Sequence, residues 1–313
     1  MRPFRPTRRA VRGAVAVAVL TILGAGTMLY PAGASWFSQL EQSQLTQEYS
    51  VERGSEGAAV EREALVRARA YNDTLPGGAI GDPQDPSSAD GTGEIAEQYR
   101  SLLANDANGV MARIRIPSIG VDLPVYHGTT EETLRAGIGH LFGSSLPVGG
   151  IGTHSVLTGH RGLPESMLFT DLDKVVVDDL IQIDVEGETL TYRIISSEVF
   201  DPADTDPLLP VAGRDLVTLV TCTPLGINSQ RIFVTAERIA NPPADDPALV
   251  MPEIPGKPWW TVALAGAFAL GAIVVTGTSR PRAPLQPVHG RHGRGRAGQH
   301  AEPASMAPAS IIV

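Results

Sequence analysis

Polar and apolar positions divide the chain into distinct textures. Two apolar runs stand near its ends, at residues 10–30 (AVRGAVAVAVLTILGAGTMLY) and 259–276 (WWTVALAGAFALGAIVVT). Each has about the 17–20 residues that cross a bilayer's hydrocarbon core as a helix. From 35 to 75 the apolar residues Trp36, Phe37, Leu40, Leu45 and Tyr49, then Val60, Leu65, Val66 and Tyr71, recur at near-helical spacing. They predict one or two helices, broken near residues 53–57. Residues 76–93 (PGGAIGDPQDPSSADGTG) are too rich in Gly, Pro, Asp and Ser for helix or strand. After Asn108 the texture becomes short β-type runs: VMARIRIPSI, VDLPVYH, HSVLTGH, LIQIDVEG, ETLTYRIISSEVF, DLVTLVTC and QRIFVTAERI. Seven or so strands with little helix predict a mainly β domain closed, or nearly closed, into a barrel. Ile114, Ile116, Val121 and Leu123 supply its inward apolar set, and Arg115 and Asp122 flank turns. Past Ile239, ANPPADDPALVMPEIPGKP reads as an extended tether to the second apolar run.

Charge sharpens this division. Residues 31–258 hold fifteen basic and thirty-three acidic side chains, whereas each end is basic, with Arg2, Arg5, Arg8, Arg9 and Arg12 before the first apolar run and Arg280, Arg282, Arg291, Arg294 and Arg296 after the second. An acidic middle argues against nucleic-acid binding. The positive-inside rule puts both termini in the cytoplasm, the middle outside, and Trp259 and Trp260 at the outer interface. Ala-Gly-Ala at 32–34 resembles a processing site, so the first run is either an uncleaved anchor, the preferred reading, or a cleaved signal. The resulting organisation is a basic segment and anchor at 1–30, a helical stalk at 31–107 carrying the loop 76–93, a β domain at 108–240, a tether at 241–258, a membrane helix at 259–277 and a basic tail at 278–313.

The chain has one cysteine. Cys222 therefore has no internal disulfide partner and is either a buried small hydrophobe or a reactive thiol. It closes the apolar run DLVTLVTC and is followed by Thr223-Pro224, a strand end held by a scaffold yet open to substrate. A thiolate nucleophile needs a proton-transfer partner and a donor for the developing oxyanion. His160 follows the run HSVLTG, and Arg231 opens the run RIFVTAERI nine positions after Cys222. If TPLGINSQ joins two adjacent antiparallel strands, Cys222 and Arg231 sit side by side, and the guanidinium fork can hold a carbonyl or its oxyanion.

With those residues in place, the sequence resembles the sortases, specifically the pilus-assembling class C group. The motifs are IPSIGVDLPVYHGT at 116–129, GHLFGSSLPVGGIGTHSVLTGHRGLP at 139–164, LFTDLDK at 168–174 and DLVTLVTCTPLGINSQRIFV at 215–234. The resemblance implies an eight-stranded β-barrel. It also implies cleavage of an LPxTG-like signal between Thr and Gly through a thioacyl intermediate on Cys222, with His160 moving protons and Arg231 stabilising the oxyanion. The acceptor would be a pilin lysine amine, giving isopeptide-joined subunits. Alternatives are a sortase that anchors proteins to cell-wall peptide, and a peptide-binding barrel without activity.

Class C sortases carry a lid whose Asp contacts the catalytic Arg and whose nearby aromatic covers the Cys. Asp82 and Asp85, each followed by Pro, are the lid candidates, but no aromatic follows either. Leu225 and Asn228 are the candidates for substrate contact in the loop after Cys222. Leu225 stands where the family often has an aromatic, and Gln230 where it often has His. No cofactor motif and no metal site are expected. His127, His140 and His154 lack partners at ligand spacing, and His289, His292 and His300 sit in a tail suited to anionic membrane lipid.

Overall fold

The computed structural model describes residues 7–75, 81–85, 91–104 and 108–280, the side chains of 52–56 excepted. Residues 76–80 and 86–90 of the proposed lid lie outside the described residues, as do Arg2, Arg5 and the basic tail from Pro281, including Arg282, Arg291, Arg294, Arg296, His289, His292 and His300.

The first apolar run and the polar stretch behind it form one helix, α1 (Arg8–Glu56), of 49 residues. Thr7 caps it, its Oγ1 accepting from the Ala10 N–H at 3.3 Å, which satisfies one of the donors orphaned at a helix start. Gly57, at φ 91°, ends it, a backbone region open to glycine without steric cost. Two further helices follow, α2 (Ala58–Thr74) and α3 (Glu94–Ser101). The second apolar run is α5 (Trp259–Ser279), packed on α1 with Gly271 against Ala18 and Ile22 and with Trp260 against Gly33. Both α1 and α5 are long and apolar enough to cross a membrane. At their junction Trp36, Phe37 and Trp260 form an aromatic cluster, and Trp36 Nε1 donates to the Gly256 carbonyl at 2.7 Å.

The upper part of α1 lies along a β domain. Among the described residues there are eight strands: β1 (Ala112–Ile116), β2 (Val121–His127), β3 (Ile138–His140), β4 (Thr153–Thr158), β5 (Leu180–Val185), β6 (Glu188–Phe200), β7 (Asp215–Thr223) and β8 (Gln230–Ile239). They close into a barrel of order β1-β2-β3-β4-β7-β8-β6-β5. A six-residue helix, α4 (Glu131–Ala136), carries the chain from β2 to its parallel neighbour β3. Seven strands match the runs legible in the sequence. The eighth, β3, is three residues long, and its central Gly139 lies so close to the Gly128 carbonyl that a Cβ would collide with it.

In β1 the period of two is visible in burial, with Ala112, Ile114 and Ile116 inward and Arg113 and Arg115 outward. Val121 and Leu123 of β2 complete that inward set. Arg115 and Asp122 face each other across β1 and β2, but their charges pair diagonally, Arg113 with Asp122 at 2.6 Å and Arg115 with Asp184 at 2.7 Å. Because β4 and β7 are parallel while β8 runs against β7, the C-terminal ends of β4 and β7 and the start of β8 share one barrel end.

Tyr99 ties α3 to the barrel. His140 Nε2 donates to the Ser145 carbonyl at 2.8 Å, which leaves Nδ1 to accept the Tyr99 hydroxyl proton at 2.9 Å, and the same hydroxyl accepts from the Gly128 N–H at 3.1 Å. Burial holds His140 neutral, its pKa pushed down to about 4. Tyr99→Phe leaves two buried groups unpaired and is expected to lower stability by about 1–3 kcal/mol. A denaturant midpoint equal to that of the parent chain would show that this hydroxyl carries no such weight.

Candidate active site

The register brings the predicted residues together. Cys222 and Arg231 are directly opposed across β7 and β8, as expected if TPLGINSQ is a strand-connecting loop. On the other side of β7, parallel β4 pairs Thr158 with Val220. His160 follows two residues beyond that pair, past the end of β4 and on the side of β7 opposite β8. The extension is held by hydrogen bonds, the Gly159 N–H donating to the Val220 carbonyl at 3.1 Å and Thr221 Oγ1 to the Gly159 carbonyl at 2.8 Å. Gly159 is the residue this approach permits, since a Cβ there would lie 2.7 Å from Ile138 and 2.9 Å from Phe169.

His160 is mostly buried, with Nε2 3.3 Å from a Glu131 carboxylate oxygen but without the alignment of a hydrogen bond. The other Glu131 oxygen accepts from Arg135 at 2.8 Å. Arg161, next in the chain, secures the loop after β4: it pairs with Asp173, donates to the Thr170 carbonyl at 3.1 Å, and reaches Thr223 Oγ1, beside the thiol, at 3.2 Å. Neither Glu131 nor Arg161 was marked by the sequence, where a charge beside a turn reads as a solvated surface.

The loop 76–93 supplies a carboxylate at the centre of the site. Asp82 binds Arg231 in bidentate fashion, at 3.0 Å to Nε and 2.7 Å to Nη2, with both side chains largely buried. The Asp82 backbone carbonyl accepts from the Asp85 N–H at 3.0 Å and its side chain from the Gln84 N–H at 3.1 Å, forming a tight turn; Asp85 is exposed. Gln84 stands where an aromatic was sought, and its amide donates to Thr158 Oγ1 at 2.7 Å and to the Gly159 carbonyl at 3.3 Å. The strap therefore lies across both strands that flank Cys222.

In the loop after Cys222, Leu225 is exposed and lies over Gly162. Asn228 adopts φ 58°, a conformation Asn tolerates better than most residues. Its contribution is through the backbone, its carbonyl accepting from Arg231 Nη1 at 3.0 Å.

Electrostatics follows from this packing. Burial pushes the Cys222 thiol above its ordinary range; Arg231 pulls it down, and Asp82 offsets part of that pull. For Arg231, burial is the largest single influence and opposes the charge, but the bond to Asp82 and the charges of Cys222 and Asp82 together outweigh it and the pKa rises. The site so arranged could deliver a thiolate, a proton carrier and a cation to one carbonyl. His127, His140 and His154 lie elsewhere, each pushed below the ordinary imidazole value chiefly by burial and each bonded to protein groups. Among the described residues no group of three His, Cys, Asp or Glu is placed to hold a metal.

Comparison with known proteins agrees with this geometry. The Sortase domain family model matches residues 114–239. Sortase C-1 of Actinomyces oris is 45% identical, with 58% of this chain covering 99% of that one at a TM-score of 0.56. A Streptococcus pneumoniae sortase C, solved with regard to catalysis and pilin substrate specificity, is 35% identical, with 63% of this chain covering 97% of that one at a TM-score of 0.58. Sortase A of Bacillus anthracis is 28% identical over 146 residues, 47% of this chain and 67% of that protein. With Cys222 and Arg231 opposed on adjoining strands of an eight-stranded barrel, His160 in the loop just past the end of β4, and a relative of 45% identity matched along almost its whole length, the chain belongs to the sortase family of cysteine transpeptidases.

Proposed function

We propose that this chain is a class C sortase that cleaves an LPxTG-like signal between Thr and Gly and joins the acyl part to a pilin lysine. The observation that supports the reading is the register that opposes Arg231 to Cys222 across β7 and β8, with His160 just past the end of β4 on the other side of β7. In the first step the Cys222 sulfur attacks the Thr carbonyl, and the negative charge gathering on its oxygen faces the Arg231 guanidinium. Collapse breaks the C–N bond, His160 gives its proton to the departing amine, and a thioacyl enzyme remains. In the second step His160 takes a proton from the incoming lysine amine, whose nitrogen attacks the thioester, and the Cys222 sulfur leaves. Water in place of the amine gives hydrolysis.

Arg231 cannot serve both Asp82 and the substrate, because both claim the same face of its guanidinium fork. The strap around Asp82 is therefore a lid that has to withdraw before acylation. The likeness to sortase C enzymes favours pilin joining, whereas the likeness to a sortase A keeps cell-wall anchoring as the second reading. The flanking arginines support a chain spanning the bilayer twice, with both termini in the cytoplasm and the barrel outside.

The test is intact-mass analysis of the full chain in detergent micelles after incubation with an LPxTG peptide. A mass increase equal to the peptide's acyl part, absent from Cys222→Ala, is the expected result. Adding a lysine peptide should then release the enzyme and yield an isopeptide. An adduct that persists in Cys222→Ala would sink the assignment of the nucleophile, and exclusive transfer to a cell-wall peptide amine would favour the second reading.

A further inference from the structure

We infer that the catalytic end of the barrel rests against the outer face of the bilayer, with Leu225 and Ile227 as its lipid contacts. The inference rests on reading α1 and α5 as membrane spans, and it follows from the polarity with which α1 lies on the barrel. Low on the helix, Gln39 and Gln42 line a cleft with Val121 and Leu123, at the barrel end where β7 finishes. Higher up, the Tyr49 hydroxyl donates to the Met111 carbonyl and accepts from the Glu186 N–H, at the opposite end. The helix thus climbs from the catalytic end towards the far end, and the catalytic end is the one nearer the span.

The distance between them is short. Trp36, Phe37 and Trp260 cluster where the two apolar helices meet the outer domain, the position at which aromatic rings favour the membrane interface. Two residues beyond Trp36, Ser38 Oγ donates to Ser166 Oγ at 3.2 Å, in the loop that carries His160. At a rise of 1.5 Å per residue that loop stands about 3 Å above the aromatic cluster along the helix. Leu225 lies over Gly162 of the same loop. The contacts run without a gap from the aromatic cluster through α1 and the His160 loop to the segment after Cys222.

Leu225 and Ile227 are 53% and 72% exposed. Isolated exposed apolar residues are ordinary on a soluble surface, so the inference is carried by where these two stand. Ile151 provides an internal contrast. It is 84% exposed but lies beside the start of β7, where the Gly152 N–H donates to the Arg214 carbonyl. Seven residue steps along β7 separate Asp215 from Cys222, about 23 Å at 3.3 Å per residue.

The test uses the full chain in phosphatidylcholine and phosphatidylglycerol vesicles, in a Cys222→Ala background with a single new cysteine, Ile227→Cys or Ile151→Cys, carrying the fluorophore NBD. The expected result is blue-shifted emission at 227, quenched by lipid bearing a doxyl group, with water-like emission at 151. Both positions are exposed, so labelling leaves the core intact. Flotation with vesicles after an alkaline wash reads the spans separately. A chain that does not float overturns the membrane reading beneath the inference. A chain that floats, with 227 as water-like as 151, overturns the rim placement alone. A signal at 227 that responds only to the sorting peptide makes the loop a peptide contact and overturns the lipid assignment.

Discussion

Replacing Arg231 by Ala is expected, on the proposed mechanism, to lower the rate of thioacyl formation on Cys222 by about 10²–10³-fold, the loss typical of removing one donor from an oxyanion site. Two effects combine. The guanidinium no longer faces the charge that develops on the carbonyl oxygen, and the thiol loses the cation that pulls its titration down. They separate experimentally, because alkylation of Cys222 by iodoacetamide requires a thiolate but no oxyanion site. The variant's alkylation profile should move to higher pH, while acylation falls even where the thiol is fully ionised. The loss should appear in kcat more than in KM, since the charge forms only in the transition state. Arg231→Lys should recover part of the rate, because it restores charge but not the planar fork. Acylation within a few-fold of wild type in Arg231→Ala would remove Arg231 from the mechanism.

Asp82→Asn acts in the opposite direction. The carboxylate raises the Cys222 pKa, so removing its charge moves the thiol's titration to lower pH. Below the titration, each pH unit of that movement multiplies the thiolate about tenfold, and alkylation at pH 7.5 should rise by up to that order. Above it, wild type and variant are both ionised, so the remaining ratio measures access alone. Gln84→Ala supplies the complementary case. It breaks the bonds to Thr158 and Gly159 without altering charge, so access should increase at every pH while the titration stays in place. The profile of Asp82→Asn overlying that of wild type would show that the ion pair does not restrain the thiol.

The part of this arrangement that was legible in the sequence is the part encoded locally. Long strands such as DLVTLVTC and QRIFVTAERI are marked by their apolar, β-branched runs, and their spacing sets Arg231 beside Cys222 once TPLGINSQ is taken as the loop between them. The break between α1 and α2 fell at Gly57, beside the Gly-rich stretch that signalled it. β3 escaped because three residues around a glycine have neither the length nor the branching that marks a strand. The chemistry of the strap proposed as a lid is only half visible in the sequence. Asp82 and Asp85 were equivalent as Asp-Pro pairs, and the choice between them depends on a pairing across 149 positions that no local pattern records. Gln84 went unremarked because the pattern sought a ring, whereas this site fastens its strap with an amide. Glu131 and Arg161 gain their significance only when the barrel folds α4 and the β4–β5 loop around His160.

The continuity of α1 from the apolar run into the barrel contacts gives the enzyme a mast instead of a mooring line. A helix is a screw, so each residue between Tyr30 and Ser38 sets 1.5 Å of height together with about 100° of heading. If α1 spans the bilayer as proposed, the altitude of the thiol above the lipid and the compass direction in which its cleft opens are consequently a single variable. On the proposed reading, in which α1 spans the membrane, an enzyme held in this way turns little to meet its partners, and the order in which donor and acceptor chains reach Cys222 becomes a matter of traffic in the plane of the membrane.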